Sequence, residues 1–205
     1  QEGQDNLVRF QTNYFGMAAP DIYYRFTAGY FEEMFGGYGT EVIYRPRASR
    51  WAISTDVNYV RQRAYDQRLD FLNYTVTTGH LNVYYDVPWK DLHTSIHIGQ
   101  FLAGDRGAQF RVGRRFDSGV FVGSWFTLTN VPFEEFGEGS FDKGFFFVIP
   151  FELFSLRSSR ASGGIAFRPL TRDGGQMLNI RPRLYDLTSG GRDIEVTRDW
   201  DQLMQ

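Results

Sequence analysis

The chain has 205 residues, 42% of them hydrophobic and 18% aromatic, with 22 Gly, 7 Pro and no Cys. That is too apolar for a disordered chain, large enough for one domain or one closed barrel, and free of disulfides, thiolate metal sites and thiol nucleophiles. A formal net charge of −2 offers no overall basic field for nucleic acid.

All the cations except Lys90 and Lys143 are Arg. Arg carries a rigid, always-charged fork of donors, whereas Lys is a flexible point charge. The longest apolar run, 145–151, is broken by Pro150 and falls far short of the roughly 20 residues of a spanning helix. No basic segment followed by an apolar one opens the sequence, so no signal peptide is expected within it. A mean hydropathy of −0.38 looks soluble. Transmembrane β-barrels keep an ordinary average too, because lipid-facing and lumen-facing residues alternate.

Period-2 alternation runs through the chain and predicts strands over 7–15, 21–30, 39–46, 50–61, 73–86, 91–103, 107–116, 119–130, 143–154, 162–170 and 176–187, with a last candidate at 192–200. In the second segment Ile22, Tyr24, Phe26, Ala28 and Tyr30 oppose Tyr23, Arg25, Thr27 and Gly29. In the fourth, Trp51, Ile53, Thr55, Val57 and Tyr59 oppose Ala52, Ser54, Asp56 and Asn58. In the sixth, Leu92, Thr94, Ile96 and Ile98 oppose His93, Ser95, His97 and Gly99. Several runs reach the 9 to 11 residues a tilted strand needs to cross a bilayer, against about five or six in ordinary sheets.

The connections mostly alternate between long (31–38, 61–72, 130–142) and short (46–50, 86–91, 117–119), as when one rim carries loops and the other turns. Segments 21–187 give ten strands, and adding 7–15 and 192–200 gives twelve. Tyr30, Phe31, Trp51, Tyr85 and Trp89 fall near strand ends, where an aromatic girdle would sit. The fold class expected is therefore all-β: an up-and-down antiparallel transmembrane β-barrel of about 10–12 strands. It forms a single domain over 1–205, with 1–20 and 188–205 allowed outside the barrel. Alternation does not say which face is inside, and a soluble barrel would bury the apolar one.

With the apolar face outward, the lumen receives Arg25, Arg45, Asp56, Asn58, His80, Asn82, His93, Ser95, His97, Gln109, Arg111 and Arg115. Guanidinium forks match carboxylate or phosphate oxygens, so this inventory suggests a path or docking surface for an anionic, hydroxyl-rich solute. The plainer reading is an Arg–acid ladder inside a closed, partly plugged barrel. His93, Ser95 and His97 share a strand face and form the most enzyme-like cluster. No motif announces an orienting acid or an oxyanion hole, so the chain is not expected to be an enzyme. The same histidines lack a carboxylate at ligand spacing, and no metal site is expected.

The loop 132–144 carries Glu134, Glu135, Glu138 and Asp142. These carboxylates suggest Ca²⁺ but lack EF-hand spacing, so a solvated acidic loop is expected. Its glycines suggest a shaped loop folded over the rim. No phosphate loop, dinucleotide fingerprint or zinc pattern occurs, and no cofactor is expected.

Separated motifs carry a family resemblance: Gly29-Tyr-Phe-Glu-Glu-Met-Phe-Gly-Gly-Tyr-Gly-Thr-Glu-Val42, Asn58-Tyr-Val-Arg-Gln-Arg63, Val76-Thr-Thr-Gly-His-Leu81, Leu102-Ala-Gly-Asp-Arg-Gly107, Arg115-Phe-Asp-Ser-Gly-Val120, Glu135-Phe-Gly-Glu-Gly-Ser-Phe-Asp-Lys-Gly144 and Pro169-Leu-Thr-Arg-Asp-Gly-Gly-Gln176. Together they resemble the YjbH family of outer-membrane exopolysaccharide proteins, relatives of the GfcD proteins of group 4 capsule loci. The resemblance implies an outer-membrane barrel of a Gram-negative bacterium, acting in secretion or surface assembly of an exopolysaccharide or capsule, with a role in biofilm. It implies outer-membrane lipid, an anionic polysaccharide and other export proteins as partners, and no catalytic residues. Family members look longer and lipid-anchored, whereas no lipobox Cys occurs here, so the likeness is to a C-terminal barrel portion. The rival expectations are a barrel-wall hydrolase using His93, Ser95 or His97, and a soluble periplasmic glycan-binding β protein.

Overall fold

Alternating sequence becomes alternating structure: ten strands follow one another along the chain, each antiparallel to the next, in one sheet. The computed structural model describes residues 7–66, 69–131, 142–150, 162–167 and 174–189. The strands are β1 (Phe10–Ala19), β2 (Ile22–Tyr30), β3 (Phe35–Tyr44), β4 (Trp51–Arg63), β5 (Phe71–Val87), β6 (Leu92–Gln100), β7 (Arg106–Arg115), β8 (Phe121–Thr129), β9 (Asp142–Pro150) and β10 (Ser162–Phe167). A short helix, α1 (Leu184–Ser189), follows. Among the described residues no helix is long and apolar enough to cross a membrane.

The polarity of the sheet is inverted relative to a soluble protein. The apolar phase of each strand is exposed: Phe26 is 54% exposed, Tyr38 62% and Ile98 51%, and Val57, Leu81, Phe126 and Phe145 are exposed with them. The polar phase is covered, with Arg25, Glu41, Ser54, Asn58, Thr78, His80, Asn82, His97, Gln109 and Thr127 all buried. Soluble proteins rarely expose contiguous apolar surface on this scale.

The covering element is the segment 174–189, which runs along the polar face. The Gln11 side chain donates to the Arg181 carbonyl at 2.6 Å. Six residues earlier the Gly175 amide donates to Asp105 at 2.8 Å, and a Cβ on Gly175 would meet Thr127 and Asp142 at 2.9 and 3.2 Å. Six residues span at most about 20–22 Å, whereas β1 and β9 would lie about 38 Å apart in a flat sheet. The sheet is therefore curled around this segment. Among the described residues no ladder joins β1 to β10, so the cylinder is open at that seam.

Three layers stack along the curl. At one rim Phe31, Val60, Val76 and Leu102 pack on Leu178 and Ile180. At the other, Ile43, Ala52 and Tyr84 pack on Leu184, with Tyr23 and Tyr185 against them. The charged and amide side chains lie between, so two apolar layers close off a polar middle.

Three expectations are corrected. The stretch 176–187 is not a strand: it holds a cis Arg181–Pro182 peptide and enters α1, and its apolar residues serve the two rim clusters. The predicted strand at 7–15 is part of the sheet as β1, so the ten described strands run from β1 to β10. The Gly-rich 35–38 is strand rather than loop; a Cβ on Gly37 would lie 2.1 Å from the Tyr59 carbonyl, so glycine lets two backbones approach. Phe31, expected near a girdle, points inward and is fully buried, whereas Trp51, Tyr85 and Trp89 are exposed. The candidate strand 192–200 lies outside the described residues.

Candidate functional site

The candidate site is the inner polar face, and its side chains divide into two groups. The first group holds the crossing segment. On β2, Arg25 pairs with Glu41 of β3 at 2.9 Å, both almost fully buried, and also donates to the Pro182 carbonyl. Glu41 in turn accepts the Leu184 amide at 3.2 Å, so one ion pair grips two points of the segment. Just past β3, Arg45 donates to the Tyr185 carbonyl at 2.5 Å and to Thr188 at 2.9 Å, with its guanidinium 4.2 Å from the Tyr185 ring centre. Tyr185 stacks on Tyr84 at 3.8 Å and its hydroxyl donates to Asp86 at 3.2 Å.

In the middle layer, Arg25, Glu41, Asp56, Asn58 and Arg183 line a small cavity. Burial alone lowers the pKa of Arg183, but Tyr84, Asp56, Glu41 and Asp186 around it raise it on balance, so it stays a guanidinium inside the protein. Asp56 accepts from Asn58 and Asn82, both at 2.9 Å, and lies 3.4 Å from His80 Nδ1. Asn82 also donates to Ser54 at 3.0 Å, and His97 Nδ1 lies 2.7 Å from Asn82 Oδ1. His97 Nε2 lies 3.0 Å from Ser95 Oγ, and His93 Nδ1 lies 2.6 Å from Asp86.

The second group lies on β7 to β9. Arg111 is exposed and its guanidinium sits 4.1 Å from the Phe146 ring centre. Arg115 lies 5.7 Å from that of Phe121. Among the described residues no ion pair or hydrogen bond holds Arg111. Stacked guanidinium on an aromatic ring keeps the charge desolvated on one side and presents its donor edge outward.

All seven inner-face candidates (Arg25, Arg45, Asp56, His93, His97, Arg111 and Arg115) thus lie on one face, and Arg111 and Arg115 sit against aromatic rings with no ion pair among the described residues. Of the predicted acidic loop, Glu134, Glu135 and Glu138 lie outside the described residues. Asp142 is corrected: it opens β9, is buried, and accepts from Trp125 Nε1 and Thr127 Oγ1, each at 3.1 Å. Among the described residues no cluster of three metal-ligating side chains occurs. Sequence reading missed Glu41 and Arg183. Glu41 sits in phase with Ile43 and Arg45, a signal that the Gly-rich start of β3 obscured.

A family model described as "Exopolysaccharide biosynthesis protein YbjH" matches residues 1–190. The chain belongs to the YjbH family. Among curated relatives, the "Uncharacterized lipoprotein YjbH" of Escherichia coli (strain K12) is 46% identical over 183 residues, covering 87% of this chain and 26% of that protein. The chain thus spans about a quarter of the length of its YjbH relative. No solved structure matches it.

Proposed function

We propose that the chain is an outer-membrane β-barrel segment that serves secretion or surface assembly of an exopolysaccharide, docking an anionic glycan at Arg111 and Arg115. The observation that carries this is the inverted sheet: a continuous apolar outer face around a polar interior suits lipid outside and a hydrophilic ligand within. Along β4, Trp51 and Tyr59 are eight residues apart, about 26 Å along the strand at 3.3 Å each, which a tilt of about 40° turns into about 20 Å of height, most of the roughly 25 Å apolar band of such barrels. Family membership supports the link to exopolysaccharide, and a lipoprotein relative in a Gram-negative species suits an envelope location.

The crossing segment argues for docking over passive flow. With 174–189 gripped along the interior, the curl resembles a filled small barrel more than a channel. Arg25 and Arg45 are occupied by that segment, which leaves the β7–β9 side to meet a ligand. The test is surface polysaccharide in cells that carry the full-length protein with Arg111→Ala and Arg115→Ala together. Loss of surface polymer at normal protein level supports the reading, and unchanged polymer overturns the assignment of these two side chains.

A further inference from the structure

We propose that Ser95, His97 and Asn82 form a nucleophilic relay that hydrolyses a carboxylic ester presented to the inner face. Asn82 sits on β5 and Ser95 and His97 alternate on β6, so the ladder itself brings the three together. In the register His97 lies opposite Asn82 and Ser95 opposite Tyr84.

The network fixes each proton. Asn82 Nδ2 donates to Asp56 Oδ1 at 2.9 Å and to Ser54 at 3.0 Å, so its Oδ1 must be the atom facing His97. A carbonyl oxygen only accepts, so His97 Nδ1 carries the hydrogen across that 2.7 Å contact. His97 Nε2 is then bare, and the Ser95 hydroxyl donates to it at 3.0 Å. This is the tautomer a general base needs, held by an acceptor that is itself pinned twice. His97 is buried while Ser95 is only half-buried, the arrangement expected of a base and an accessible nucleophile.

Arg111 lies directly opposite Ser95 in the β6–β7 ladder, and its guanidinium leans across to stack on Phe146 of β9, on the far side of β7 from Ser95. Ser95 therefore has the pinned imidazole beside it, and Arg111 adds positive charge to the same face of the sheet.

In the reaction Ser95 Oγ attacks the ester carbonyl carbon and its proton passes to His97 Nε2. Charge develops on the carbonyl oxygen, on the face to which the cross-strand neighbour Arg111 lends positive charge. The carbon–oxygen bond to the alcohol breaks and Nε2 returns the proton to that alcohol, leaving an acyl-serine. Water, deprotonated by the same nitrogen, then releases the acid and restores Ser95. The ester class follows from the relay; an O-acyl group on a sugar as its natural form rests on the proposed glycan role.

The test uses the full-length protein in mild detergent, treated with a fluorophosphonate probe and with p-nitrophenyl acetate. The expected result is covalent labelling on the peptide that carries Ser95, absent from heat-denatured protein. Ester turnover should fall at least 100-fold, to a similar level, in Ser95→Ala and in His97→Ala. Asn82→Ala should slow labelling, and Asn82→Asp should restore it in part. No labelling at Ser95 above the denatured control overturns the proposal, as does labelling of His97→Ala at the unaltered rate. The unaltered protein decides the matter alone if a variant does not fold. Each sample is also run with and without boiling. A protein that keeps its heat-dependent mobility shift but takes no label overturns the relay and leaves the barrel reading standing.

Discussion

At the scale of single residues, the Arg25–Glu41 pair is the most consequential contact on the inner face. Neither member is reachable by water, and each also holds a backbone group of the crossing segment. Removing one partner strands the other as a buried charge, which costs about 3–5 kcal/mol in comparable pairs. Glu41→Ala is therefore expected to destabilise the fold by about that amount, read as a lower denaturant midpoint with an unchanged slope. Arg111 is exposed, makes no ion pair among the described residues and only stacks on Phe146, so Arg111→Ala should lower the same midpoint by no more than about 1 kcal/mol. That contrast separates two arginines that look alike in sequence.

At the scale of elements, the strands were legible and the segment 174–189 was not. Ile22 to Tyr30 and Trp51 to Tyr59 alternate so regularly that the phase follows at once, and the structure keeps it while turning the apolar phase outward. In 176–187 the apolar residues Leu178, Ile180 and Leu184 also share one period-2 phase, so local pattern favours a strand. The difference is tertiary: these residues serve two clusters at opposite rims, and the carbonyls of Arg181, Pro182 and Tyr185 meet Gln11, Arg25 and Arg45 in place of a neighbouring strand. Within 176–187 only Pro182 speaks against a strand, and nothing there records which rim each residue serves. The same holds for the inner site, where the residue types were legible but the division between Arg25 and Arg45 on one side and Arg111 and Arg115 on the other depends on where this segment lies. Leu184 anchors one end of it, and Leu184→Ala is expected to cost about 2–5 kcal/mol. Leu184→Asp should go further and release α1, seen as a rise in ion conductance in planar bilayers over the nearly silent unaltered protein. Equal conductance in both would contradict the segment's place as an internal plug.

At the scale of the whole molecule, the account turns on which face meets lipid. Val57, at the middle of β4, is 51% exposed on the apolar side. If that side lies in a bilayer, Val57→Arg should cost about 2–4 kcal/mol near the midplane, whereas the same change on a water-facing surface would cost almost nothing. The curl about 174–189 and the exposed aromatic residues Trp51, Tyr85 and Trp89 belong to the same picture. The measurement that tests it most directly is gel mobility of the detergent-purified protein in mild SDS, with and without boiling. A lipid-facing barrel stays folded until heated and then shifts. A protein that is monodisperse without detergent and shows no shift would contradict the membrane reading and return the apolar face to the inside.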